Sequence, residues 1–168
     1  MTGSRYHLAT SEQCVYLRVI MYNQLPLEIE PFSLARDGAE FSGSIAVTQF
    51  SRLREVLSSQ QGDVKVRIEV GREAFGPVYI KGSVAASLQL VCQRCGEPLD
   101  YAINADLKLS PVLTDAQAVT VPEEYEPWVT NDAPISVLEL VEEELLLGLP
   151  MIAKHKPEEC PCGFLCEE

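Results

Sequence analysis

Six cysteines stand at positions 14, 92, 95, 160, 162 and 166, and five of them fall into two clusters, Cys92-Gln-Arg-Cys95 and Cys160-Pro-Cys162-Gly-Phe-Leu-Cys166. Two thiolates at C-x-x-C spacing on a tight turn can face one ion, and the glycine that follows, Gly96, lets the backbone curl beneath it. That is the pattern of a zinc knuckle. A structural zinc site needs four ligands, and the C-terminal cluster can supply the missing pair. The expected set is Cys92, Cys95, Cys160 and Cys162, with Cys166 and His155 as alternates for the last corner. Because 64 residues separate Cys95 from Cys160, this is no local ribbon; the fold must bring the halves together. Two other readings of the same cysteines stay open, clustered unligated thiols and a redox pair. Thioredoxin-like pairs lie at a helix N-terminus, where the dipole lowers the thiol pKa. Here a strand is expected after Cys95, and Arg94 reads as a solvated turn residue.

Other chemistry finds little support. The chain has no Ser-His-Asp arrangement, no Gly-rich phosphate loop and no HExxH motif. Glu142, Glu143 and Glu144 are consecutive, so on a helix they fan out over different faces and make no converging acid–base pair. Glu142 and Glu143 are expected to face water. His7 receives no role, and the expectation is a protein that is not an enzyme.

The knuckle must be carried by strands. Val64, Val66, Ile68 and Val70 alternate with polar residues, as do Val78, Ile80, Val84, Ala86, Leu88 and Leu90, and then Leu99, Tyr101, Ile103, Ala105, Leu107 and Leu109. Three successive period-2 segments with short connections predict an antiparallel meander, not βαβ units. The fold class is therefore α+β: a meander with a few packed helices and a Cys-rich knuckle. Before it, residues 25–32 read as an edge strand bounded by prolines and residues 41–47 as a second strand. Thr48 is placed as the cap of a short helix with Phe50, Leu53, Val56 and Leu57 on one face. Residues 110–134 read as a loop that Tyr125 and Trp128 pin to the sheet. Ser136 and Glu139 form a capping box for a helix running to about Leu147, where Gly148 and Pro150 stop it. Its buried stripe is expected to be Leu138, Val141 and Leu145. Residues 1–20 have no clear period and are expected to be a weakly ordered extension before one domain over 21–168.

Apolar residues make up 46% of the 168 and charged residues 23%, a balance that excludes a wholly disordered or fibrous chain. No apolar run reaches the ~18 residues a membrane span requires, and no cleavable signal pattern is evident, so a cytoplasmic location is expected. The charge is unevenly placed. Residues 1–120 hold 13 acidic and 11 basic side chains, whereas residues 121–168 hold 12 acidic ones against only Lys154 and Lys156. Nucleic-acid affinity normally comes from Lys and Arg displacing counterions. An acidic C-terminal half points instead to a basic protein partner.

Several segments together resemble the YceD family, the large ribosomal RNA subunit accumulation proteins. They are Leu25-Pro-Leu-Glu-Ile29, Val91-Cys-Gln-Arg-Cys-Gly-Glu-Pro-Leu99, Val121-Pro-Glu-Glu-Tyr-Glu-Pro127, the stretch from Ile135 to Pro150, and then His155 and Cys160. The resemblance covers about residues 25–160, and the combination is far more specific than any one motif. It implies a non-enzymatic role in synthesis or maturation of the large ribosomal subunit, with loss of large-subunit rRNA when the protein fails. Combined with the charge split, it leads to a factor that binds a basic ribosomal protein or an assembly intermediate. The alternative is a zinc-dependent RNA-binding module in which Arg94 and the knuckle touch rRNA. Against that stand 7% aromatic residues and no basic patch along the chain.

Overall fold

In the computed structural model, residues 20–22, 24–74, 76–130 and 133–161 are described. The strands are β1 (Ile20–Tyr22), β2 (Glu28–Ile29), β3 (Ala39–Ala46), β4 (Leu57–Ser59), β5 (Asp63–Arg72), β6 (Val78–Val91), β7 (Pro98–Val112), β8 (Glu126–Val129) and β9 (Ile135–Ser136). Helices α1 (Pro31–Leu34), α2 (Leu53–Val56) and α3 (Asp115–Ala118) are single turns, and α4 (Val137–Leu147) is the long one.

The main sheet runs β1-β3-β5-β6-β7-β8, with β4 also paired to β6. Strands β3, β5, β6 and β7 pair antiparallel in turn, as the alternating sequence requires. The outer strands β1 and β8 join parallel to β3 and β7. The alternation also sets which side is buried. Val64, Ile68, Val70, Ile80, Val84, Leu88 and Leu107 are all at most 1% exposed. They meet Leu140, Val141 and Leu145 from α4, together with Phe50 and Leu53. Sheet and helix share one core; of the expected α4 stripe Val141 and Leu145 are fully buried, whereas Leu138 lies half-buried at the margin with Tyr101. Gly82 lets two strands close up: a Cβ at this position would collide with the Arg67 carbonyl oxygen.

Four local expectations change. Residues 25–32 give only the two-residue β2, paired with β9, because Pro31 opens α1 at its first turn instead of ending a strand. The helix expected after Thr48 is a 3-10 turn (Val47–Gln49), then α2, then β4, and Val56 is 48% exposed. Within 110–134, β7 continues to Val112, α3 adds a helical turn and β8 adds a strand, so the segment is not one loop. Tyr125 does pin it: the ring is buried, stacks on Tyr79 and donates its hydroxyl to Glu73 Oε1 at 2.7 Å.

The fourth correction concerns Glu142. It does not face water but is buried, at 5% exposure. Its Oε1 accepts the backbone N–H groups of Arg52 at 2.8 Å and Leu53 at 3.1 Å, and its Oε2 accepts Arg52 Nε at 3.1 Å. A carboxylate from α4 thus caps the start of α2, the role assigned to Thr48, and ties the two helices together. Burial works against the charge of Glu142, but the N–H donors of Leu53 and Arg52 outweigh it and hold the pKa below the usual carboxylate value. Glu143 is exposed and pairs with the other arm of Arg52 at 3.0 Å. At the start of α4 Ser136 caps the helix as expected, with Glu139 N–H donating to Ser136 Oγ at 3.3 Å.

Candidate metal centre

The longest hairpin in the sheet, β6–β7, ends in the turn Cys92–Glu97. Cys92 N–H donates to the Glu97 carbonyl and Gly96 N–H to the Cys92 carbonyl, both at 2.9 Å. Gly96 has φ +78°, a left-handed conformation that a side chain disfavours, so glycine is what lets the knuckle curl. The segment after α4 then crosses this turn. Gln93 N–H donates to the Ala153 carbonyl at 2.8 Å, and the Arg94 guanidinium donates to the His155 carbonyl at 3.0 Å. Arg94 is therefore a fastener between knuckle and C-terminal segment, not a solvated turn residue.

This docking gathers Cys92, Cys95, His155 and Cys160, whose ligand atoms all lie within 4.8 Å of one another. Cys92 and Cys160 are buried, and Cys95 and His155 half-buried. A tetrahedral zinc site has S···S edges of about 3.8 Å and S···N edges of about 3.6 Å, given Zn–S near 2.3 Å and Zn–N near 2.05 Å. Cys95 Sγ and His155 Nδ1 are 3.5 Å apart, already one such edge. The other ring nitrogen of His155, Nε2, lies 3.0 Å from the Pro98 carbonyl. A carbonyl can only accept, so Nε2 carries a proton and the imidazole plane is fixed with Nδ1 turned toward the sulfurs. The residues fit a metal ion in number, donor chemistry and spacing.

Without a metal the cluster is electrostatically crowded. Burial pushes the Cys92 thiol up, yet the N–H groups of His155, Cys95 and Arg94, with the Cys95 thiol, outweigh it and bring the pKa down to about 5. One of those donors is His155 N–H, 3.5 Å from Cys92 Sγ. Cys95 moves the other way: the Glu97 N–H favours its thiolate, but burial and the neighbouring Cys92 and Cys160 sulfurs prevail and raise it. His155 is raised as well, chiefly by its bond to the Cys92 sulfur. Several thiolates cannot share so small a space unless positive charge joins them. A divalent cation held by these four residues would supply it.

Of the residues expected to bind metal, Cys92, Cys95 and Cys160 come together, with the alternate His155 beside them. Cys162 and Cys166 lie outside the described residues, as do Cys14, His7 and the rest of 1–19. Sequence reasoning missed two supporting groups, Arg94 and Pro98, whose roles depend on contacts across some 60 positions. The acid-to-helix cap by Glu142 was missed for the same reason.

Comparison with known proteins decides the family. The family model for "Large ribosomal RNA subunit accumulation protein YceD" matches residues 80–168, just over half the chain. The chain belongs to the YceD family. A curated relative from Haemophilus influenzae, named large ribosomal RNA subunit accumulation protein YceD, is 33% identical over 138 residues, covering 82% of this chain and 79% of the relative. The YceD match includes Cys92, Cys95, His155 and Cys160 along with all of α4. The family name places its members in accumulation of large-subunit rRNA and is not that of an enzyme class. Among the described residues, no helix is long and apolar enough to cross a membrane. No solved structure matches the chain.

Proposed function

We propose that this protein is a non-enzymatic cytoplasmic factor in large ribosomal subunit biogenesis, supporting synthesis, processing or accumulation of large-subunit rRNA by binding a basic ribosomal protein or an assembly intermediate. Membership of the YceD family carries the ribosomal part of this reading. The charge placement supports the partner. Beyond Val121 the chain is strongly acidic, and among the described residues Glu126, Glu139 and Glu144 make no ion pair with a basic side chain. The carboxylates of Glu126 and Glu143 add to burial in raising the pKa of Glu144, a repulsion that a Lys- or Arg-rich partner would relieve. Direct rRNA binding through Arg94 fits less well, since its guanidinium is engaged with the His155 carbonyl.

In this reading the cofactor is zinc. Three thiolates and one imidazole are soft and borderline ligands that suit it, and four protein ligands leave no open position for catalysis. The ligands are Cys92, Cys95, Cys160 and His155, with His155 at the corner first given to Cys162. The ion fastens the segment after α4 to the knuckle and so fixes how the acidic half is presented.

Gradient sedimentation of a cell lysate tests the partner. The protein should travel with large-subunit precursors in low salt and leave them as salt rises, while the purified chain shows no affinity for large-subunit rRNA alone. Tight, saturable binding to naked rRNA would instead favour the RNA-binding alternative.

A further inference from the structure

We propose that this centre is a peroxide-labile clasp, in which oxidation of Cys92 and Cys95 to a disulfide expels the zinc and unfastens the C-terminal segment. The inference rests on the zinc reading above and adds its regulation. Three observations carry it. First, three of the four ligand atoms are sulfurs, all within 4.8 Å of one another, so oxidation removes ligands that no other side chain among the described residues replaces. Second, burial is graded: Cys92 and Cys160 are buried while Cys95 is half-buried, so Cys95 is the least enclosed of the three cysteines. Third, Cys92 and Cys95 share one tight turn that is closed by its own hydrogen bonds, so a disulfide between them stays within a single element.

The chemistry balances with hydrogen peroxide as oxidant. The Cys95 thiolate attacks one peroxide oxygen, the O–O bond breaks, and hydroxide leaves, giving a sulfenic acid at Cys95. The Cys92 thiolate then attacks that sulfur and displaces a second hydroxide, forming the disulfide. Two thiolates lose two electrons in total and peroxide gains them. A disulfide sulfur is a poor zinc ligand, so among the described residues only His155 and Cys160 remain, both on the C-terminal side. Two ligands do not hold a structural zinc ion.

The consequence is mechanical. Besides the metal, the crossing segment is fastened to the turn by the Gln93–Ala153, Arg94–His155, His155–Cys92 and His155–Pro98 hydrogen bonds. The Cys92 sulfur acceptor is weakened by oxidation. Lys154, followed by His155, is exposed on this segment and gives trypsin a site that reports its opening; the bond after Lys156 precedes Pro157 and resists trypsin.

The test uses the full chain, purified under reducing conditions, treated with hydrogen peroxide in the presence of a chromogenic zinc chelator. Zinc should appear in the chelator in step with the loss of two thiols. Peptide mapping should join Cys92 to Cys95, trypsin should cut after Lys154 several-fold faster, and reductant with added zinc should reverse all three. If the chain neither carries zinc nor takes it up when reduced, the zinc reading fails and the clasp with it. If zinc is bound but stays bound while thiols oxidise elsewhere, the clasp is wrong and the zinc reading stands. A disulfide linking Cys160 to the knuckle, with trypsin cleavage unchanged, likewise overturns release of the segment.

Discussion

Replacing Glu142 with alanine removes the acceptor for three donors at once. Arg52 N–H and Leu53 N–H both point at Oε1, and Arg52 Nε at Oε2. The Leu53 N–H is buried, so its loss of partner costs about 1–3 kcal/mol. Arg52 is half-exposed and water can satisfy much of what it loses, which adds about 0.5–1 kcal/mol with the lost helix cap. The expected total is about 3 kcal/mol, which for a chain of this size lowers the melting temperature by roughly 6–12 °C. Its neighbour provides the control. Glu143 is exposed, and its pair with Arg52 is worth about 0–1 kcal/mol. Urea unfolding of both variants should therefore separate them by about 2 kcal/mol. The acid limb adds a second signature. Because the folded-state pKa of Glu142 is depressed, its stabilisation is present above the unfolded glutamate value of about 4.3 and is lost as pH falls through the lower folded value. The stability gap between the wild type and Glu142→Gln should therefore be constant near neutrality and close below about pH 4. Equal, sub-0.5 kcal/mol effects of Glu142→Ala and Glu143→Ala, the range of ordinary surface changes, would refute the buried cap.

Leu145 is fully buried against the sheet, so Leu145→Ala should cost about 2–5 kcal/mol in denaturant unfolding. Gly82→Ala should destabilise by more than about 2 kcal/mol, because the new methyl group and the Arg67 carbonyl cannot both keep their places; wild-type stability in that variant would mean β5 and β6 are less closely paired. Metal analysis should find about one zinc ion per chain, lost in Cys92→Ser and Cys160→Ser alike but kept in Cys162→Ser; loss in Cys162→Ser with retention in His155→Ala would restore Cys162 to the fourth corner. Zinc affinity should fall as the solution is acidified, since each thiol must shed its proton to ligate; proton release on zinc addition, followed by calorimetry in two buffers, checks this.

The parts of this fold that could be read in advance are those where local pattern and burial agree. The alternation Val64–Val70, Val78–Leu90 and Leu99–Leu109 fixes one face of each strand, and a one-residue slip would turn every apolar side chain outward. The cap at Ser136 and the stop at Gly148 bound α4 for equally local reasons. The C-x-x-C-G turn announced the knuckle, and His155 was already among the alternates. What escaped depended on distant partners. Glu142 looks like one of three equivalent surface acids, and only the arrival of Arg52 and Leu53 makes it different. Arg94 looks solvated until the segment around His155 lies over it. The short elements between Val47 and Ser59 follow tertiary contacts more than propensity, which is why one expected helix became a 3-10 turn, a single helical turn and a strand.

Depleting this protein from its own cells and measuring the ratio of large-subunit to small-subunit rRNA tests the central claim most directly. The ratio should fall, precursors of the large subunit should accumulate on gradients, and the wild-type gene should restore both. An unchanged ratio and an unchanged gradient profile in depleted cells, with the protein shown to be gone, would contradict a role in large ribosomal subunit biogenesis.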